Sequence, residues 1–307
     1  MRHAISLFVT ILFFSTASAS AQCSGEIERV KSQKVLHLDG GGVAVKSKLN
    51  INIDGYGKAY HLGNASAGAL IHLCNAGSVY LPDGSSYSGS RDNATCTGAF
   101  MDDVRKIKAA GWNNPLVGAV RWFGILGTGS VTVGGHSVRG VVPVEQLDGS
   151  GFFVSPTSLE DPAFPANDQR RYINPLQIPA AVIPGSTNLE RMGVKLGSFG
   201  VLVDTRRANA PAIPFVVGDN GPRIGEGTPA LARLAAGAAL KDPITRAERF
   251  SGIIDSKSAL WVFFGKGQIS RPFDANKAIA DAADAFRQWG GDRRLRDCLA
   301  NGAIPAN

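Results

Sequence analysis

Asp219 and Glu226 are two carboxylates in a stretch built largely of turn formers, Gly218-Asp219-Asn220-Gly221-Pro222-Arg223-Ile224-Gly225-Glu226-Gly227-Thr228-Pro229. An apolar run, residues 213–217, precedes it, and a helical pattern opening at Ala230-Leu231-Ala232 follows. The pair therefore belongs on a loop between a strand and a helix, where rigid flanks can hold reactive groups. Two carboxylates held together suit general acid/base work, and glycosidic hydrolysis is the reaction most closely tied to such a pair. Fully extended, the segment would separate them by roughly 23 Å, whereas sharing one bond needs ~5–10 Å. The chain must fold back, and Asn220-Gly221-Pro222 carries the turn signals to do it. Thr228-Pro229 reads as N-cap and first helical residue, setting Glu226 just ahead of a helix N-terminus. The dipole there favours the ionised form, so a general acid at Glu226 requires burial that outweighs it. In the bland alternative Asp219 caps a turn, Glu226 serves the helix end, and neither meets a substrate.

The elements that must position these groups are mostly strands. Apolar, β-branched runs cover 34–38, 117–125, 130–133, 180–183, 199–203, 213–217 and 260–264, with 37 glycines and 16 prolines in the chain. That is the pattern of a β-barrel or sandwich. Helices are expected at 101–110, 229–240 and 275–289. In the last, Ile279, Ala282, Ala283 and Phe286 recur at helical spacing behind Asp274 as N-cap. The fold class is thus mainly β, a closed or partly closed barrel with a few peripheral α-helices. A double-psi barrel, used by other polysaccharide-cleaving enzymes, is the fold-level analogy.

Residues 1–21 read as a secretory signal: Arg2, an apolar core over 5–14, and Ala19-Ser20-Ala21 as cleavage site. A secreted or periplasmic protein follows, with residues 22–307 as a single domain, since no low-complexity linker or internal repeat divides them. Four cysteines in an exported chain suggest two disulfides. Cys74 and Cys96 flank a Gly/Ser-rich loop and are the easiest to close, which leaves Cys23 with Cys298 to tie the ends together. The histidines His37, His61, His72 and His136 form no metal-binding pair, so neither metal nor cofactor is expected. Net charge is +7, one unit of it on Arg2. The basic residues are dispersed, outside any nucleic-acid motif, and no later run is long enough to span a bilayer. A monomer acting on a polysaccharide, without nucleic acid or membrane insertion, is the expectation.

The turn also resembles a known pattern: Gly-Asp, a short variable turn, Gly-Glu, then a helix beginning in small residues. So does Val45-Lys46-Ser47-Lys48-Leu49-Asn50-Ile51-Asn52-Ile53-Asp54-Gly55, continued by Ala59-Tyr60-His61. With Phe153–Leu159, Ile178–Pro184 and Leu260–Phe264, these segments resemble, in order, glycoside hydrolase family 75, the fungal-type chitosanases and their bacterial relatives. The resemblance implies cleavage of β-1,4 bonds between glucosamine units, by inversion, with Asp219 and Glu226 as the catalytic pair. It implies substrate contacts at Asp54, Lys46, Lys48, Tyr60 and His61, while Asp204 joins the acids that could make a cleft negative. Asn52 departs from the family pattern, which has an acid there. The positive net charge sits awkwardly with a polycationic substrate, so a hydrolase or lyase acting on peptidoglycan remains open. So does a non-catalytic glycan-binding protein of the cell envelope.

Overall fold

The computed structural model describes residues 23–92 and 96–307; the expected signal segment, 1–21, lies outside them. Three strands open the chain, β1 (Gly25–Val30), β2 (Gln33–Leu38) and β3 (Val43–Ile51). A second lobe follows, with β4 (Gly77–Tyr80), β5 (Ser86–Ser88), α1 (Ala99–Ala109), β6 (Ala119–Trp122), and the hairpin β7 (Gly127–Val133) and β8 (His136–Pro143). The chain then returns through β9 (Ala180–Pro184), α2 (Thr187–Arg191), β10 (Phe199–Asp204), β11 (Ile213–Gly221) and the two-residue β12 (Glu226–Gly227). It closes with α3 (Pro229–Ala235), β13 (Ile254–Phe263), α4 (Ala275–Trp289) and α5 (Gly291–Ala300). Strand order β3-β12-β9-β11-β10-β13, with β13 pairing back onto β3, closes a six-stranded barrel. Its pairs are antiparallel except β3–β12 and β9–β11. The barrel with peripheral helices is the expected fold class.

Strand alternation sorts the barrel residues into two faces. Val45, Leu49, Ala181, Ile183, Leu202, Phe215, Val217, Trp261 and Phe263 share one buried cluster, the barrel interior. Phe215 anchors it, edge-on to Trp261 at 5.7 Å and to Phe263 at 5.3 Å. Such aromatic pairs add to the stabilisation that burial alone gives. The outward residues Ala44, Val201, Val216, Leu260 and Val262 join Ala278, Ala282, Phe286 and Trp289 of α4 and Leu295 of α5 in a second cluster. The C-terminal helices thus cover one flank of the barrel. The second lobe has its own core around Phe100, Trp122 and Phe153 and leans on another flank.

Helix α4 spans the expected residues, and the Asp274 side chain accepts from the Lys277 N–H as its cap. α3 stops at Ala235, short of the expected 240. α2 and α5 went unforeseen; α5 starts at glycine and carries five charged residues among ten, so its apolar stripe is thin. The Cys23–Cys298 disulfide forms, and disulfides persist in oxidising compartments. No helix among the described residues is long and apolar enough to cross a membrane. The second expected bridge does not form. Cys74 and Cys96 stand side by side as buried thiols, and Cys96 Sγ accepts the Cys74 backbone N–H at 3.0 Å rather than bonding to its sulfur.

The Cys23–Cys298 bridge joins positions 275 residues apart and ties the strand that begins at residue 25 to α5. Replacing Cys298 by serine should cost about 2–4 kcal/mol of unfolding free energy in a denaturant titration. A loss below ~1 kcal/mol would mean that the bridge constrains little.

Candidate active site

Asp219 reaches the outside of the barrel because of one extra residue. Val216 faces outward and Val217 inward, so strict alternation would turn residue 219 inward. The β11–β9 register instead slips between Val217 and Asp219, leaving Gly218 as the bulged residue and pairing Asp219 with Val182. Bulges re-aim side chains in this way. Glycine is required there, since a Cβ on Gly218 would lie 2.9 Å from the Ala180 Cβ. Val182 alternates with the interior residues Ala181 and Ile183, so both it and Asp219 face outward.

Glu226 pairs with the same Val182 from the other side, and with Asn50 beyond. Asp219, Val182, Glu226 and Asn50 therefore form one row across four strands on one outer face. The expected fold-back occurs, but residues 222–225 make it rather than Asn220, which is still in β11. The turn also carries the chain past β9, so the two acids are not on neighbouring strands. Neighbouring strands lie about 4.7–4.9 Å apart, which puts the two Cα atoms about 9–10 Å from each other. A Cβ on Gly221 would lie 3.8 Å from Glu226 Oε2, so the Glu226 carboxyl leans over Val182 toward β11.

The turn itself is clamped from afar. Gln33 Oε1 accepts the Ile224 N–H at 2.7 Å, its Nε2 donates to Ile224 O at 2.9 Å, and Ser47 Oγ donates to the same oxygen. Gly225 has φ +136°, and a Cβ there would sit 2.8 Å from Ser47 Oγ. At the other end Thr228 caps α3 by accepting from Leu231 N, with Pro229 as first helical residue, as the sequence indicates.

A third carboxylate joins the pair. Beyond β3 the chain swings over the sheet, and Asn52 bridges: its Oδ1 accepts the Asp54 N–H at 2.8 Å while its Nδ2 points at Asp219 Oδ2, 3.4 Å away. An acid at this position would face Asp219 with like charge; the amide supplies a donor instead. Asp54 Oδ1 accepts from the Tyr60 hydroxyl at 3.1 Å. The loop that carries it is pinned by Gln169, whose Nε2 donates to Gly55 O and Ser155 O. Asn52, Asp54, Val182 and Asp219 line one small cavity of about 10 Å³ with Thr157 and Ile173.

Burial dominates the electrostatics. It pushes Asp54 up to about 7, with the Asp219 charge, then that of Glu226, adding to it, against the hydrogen bonds of Tyr60 and Ser155. Asp219 is also raised by burial, but four donors work against that: Ser158 Oγ at 2.7 Å, Ser158 N and Asn220 N at 2.8 Å, and Asn52. Glu226 is raised by burial, opposed by Arg223 and reinforced by Asp219. Burial thus outweighs the helix end, and no hydrogen bond to the Glu226 carboxyl is present among the described residues. The result is three carboxyls raised by burial, of which Asp219 alone is held by four donors.

Asp54, Tyr60, Asp219 and Glu226 come together as expected, and Lys48 stands exposed two positions before Asn50 on the same face of β3. The other expected contacts do not reach the site. Lys46 is about 13 Å from Asn50 along β3 and pairs with the C-terminal segment through Pro305 O and Asn307 N. Asp204 ends β10, buried and bound by Arg206 at 2.9 and 2.8 Å, which satisfies its charge. His61 packs on Phe152 at 5.0 Å and accepts the Gly63 N–H, a structural role. Asn52, Ser158 and Gln33 were not foreseen; only the Asn52 departure from the family pattern marked any of them. No group of His, Cys, Asp and Glu among the described residues is arranged to hold a metal ion. No protein-family model matches the chain, and no curated protein matches it.

Asp54 offers a test by stability. Its folded pKa lies above the ordinary 3.8, so the folded state holds the proton longer than the unfolded one. The stability this gives is present at low pH and is lost as pH rises through about 4 to 7. Asp54→Asn should match the wild type in urea midpoint at pH 4 and exceed it at pH 8. Equal midpoints at pH 8 would contradict the burial of a reluctant charge.

Proposed function

We propose that the protein is an exported, endo-acting glycoside hydrolase that cleaves β-1,4-linked glucosamine polymers with inversion. The observation that carries this reading is the shared register of Asp219 and Glu226 on Val182, which sets both acids on one face with one residue between them. Inverting enzymes hold their carboxyl groups roughly 6.5–9.5 Å apart to admit a water, and retaining ones only ~5–5.5 Å. The Cα atoms stand about 9–10 Å apart across two strand spacings, and this reading takes the carboxyls to keep the wider spacing. The resemblance to family 75 supplies the glucosamine backbone as substrate class.

In this reading Asp219 is the base. Its donors favour the ionised form and fix the carboxylate's orientation. It accepts a proton from a water whose oxygen bonds to the anomeric carbon. Glu226, whose pKa burial raises, gives its proton to the departing glycosidic oxygen as the carbon–oxygen bond breaks. The two carboxyls then exchange protons with solvent to restore the starting state. Asp54 stands beside Asp219 on the same side of the site, held there by the Tyr60 hydroxyl.

Asp219→Asn and Glu226→Gln preserve shape, so each should fold normally and lose roughly 10²–10⁴-fold in kcat, with KM changed far less. Reducing-end release from chitosan and substituted chitosans measures this, and full activity in either variant would overturn the assignment. The pH profile gives a second check. Arg223 holds the Glu226 pKa down, so Arg223→Gln should shift the alkaline limb of kcat/KM to higher pH. An unmoved limb would mean that Glu226 is not the acid.

A further inference from the structure

Three cations converge where the carboxylate row ends. Lys48, Arg223 and Lys257 line one cleft with Asn50, Gly225 and Asn307. They come from three separate elements, β3, the 222–225 turn and β13, and all three are exposed. None joins an ion pair with a carboxylate among the described residues. The cleft adjoins the catalytic row directly. Asn50 is the register partner of Glu226, Gly225 precedes Glu226, and Lys48 lies about 7 Å from Asn50 along the same face. Arg223 is near enough for its charge to act on Glu226.

The outer row is therefore electrically divided, with the donor-held Asp219 at one end and three cations outside any ion pair past Glu226. A polymer carrying only ammonium groups would be welcome at the first end and repelled at the second. Arginine forks and lysine point charges are the groups that recognise oxyanions. We propose that the cleft is a subsite for an anionic substituent of the glycan, a carboxylate or a sulfate ester, on the Glu226 side of the cleaved bond. The proposal rests on the glycosidase reading and narrows its substrate to an amino-sugar polymer that also carries acid groups. Such a substrate would reconcile a glucosamine-type site with a chain of net charge +7.

The test uses one backbone with three charges: chitosan, carboxymethyl chitosan and sulfated chitosan. Each is digested at low salt by the full chain and by the Lys48→Gln/Arg223→Gln/Lys257→Gln variant, at each enzyme's pH optimum. Three exposed charges should favour an anionic derivative over chitosan by about tenfold in kcat/KM for the wild type. The ratio should shrink as salt is raised and fall close to one in the variant. A preference for the carboxymethyl polymer assigns a carboxylate, and one for the sulfated polymer a sulfate. Equal or better cleavage of chitosan by the wild type, or a variant that keeps the wild-type ratio, overturns the proposal. If no polymer is cut, the hydrolase reading fails by itself, and retardation of the two proteins in gels containing each polymer decides the subsite. Retardation by an anionic polymer that the variant loses upholds it; equal retardation of both proteins overturns it.

Discussion

Two residues hold the barrel shut. Glu226 and Gly227 pair on one side with Asn50 and Ile51 of β3 and on the other with Ala181 and Val182 of β9. Removing β12 would leave β3 and β9 as open edges facing each other, with unpaired backbone groups along both. One of the two residues is also a catalytic candidate, so the closure of the fold and the placement of Glu226 are the same event. The Gln33 clamp on Ile224 and the glycine at 225 follow from this. A two-residue strand has too few hydrogen bonds to fix its own register, and the turn before it must be held by something else.

The opposite carboxylate depends on a different device. Asp219 faces outward because Gly218 is bulged, and the bulge exists only where glycine can approach Ala180. Once outside, the acid meets the Ser158 N–H and hydroxyl, on a loop some sixty residues upstream in sequence, together with donors from Asn220 and Asn52. The loop belongs to the segment that joins the second lobe to the barrel, and the Gln169 bonds pin it to Gly55, the residue after Asp54. The second lobe thus contributes to the site by position. It brings Asp54 and Tyr60 over a barrel face that would otherwise carry only two acids.

Much of this was legible in the sequence, and the limits have physical causes. Turn formers around Asp219 and Glu226 marked a loop with paired acids, and the β-branched runs marked the barrel. The strand between the acids was not legible, because pairing of 226 with 182 is a long-range choice that no local pattern encodes. The inward alternation of 217 would have hidden Asp219 without the bulge, which a single glycine cannot announce. Lys46 and Lys48 look equivalent by alternation, yet β3 runs from the C-terminal segment to the carboxylate row, and only Lys48 is near that row. Asp204 was an acid in an apolar run, and its partner Arg206, two residues away, neutralises it. Cys74 and Cys96 are close, as their spacing suggested, but the Cys96 sulfur meets the Cys74 backbone N–H and no bridge forms.

In the mechanism proposed above, Asp219 and Glu226 act as base and acid across the width of β9, with room for one water. The most direct measurement is the anomeric configuration of freshly released product, followed by proton NMR before mutarotation scrambles it. Cleavage of a β-linked glucosamine polymer or its carboxymethyl derivative should first yield the α-anomer, the mark of single displacement by water. First appearance of the β-anomer would mean that one carboxylate attacks the sugar itself and would contradict the assignment of Asp219 as base and Glu226 as acid.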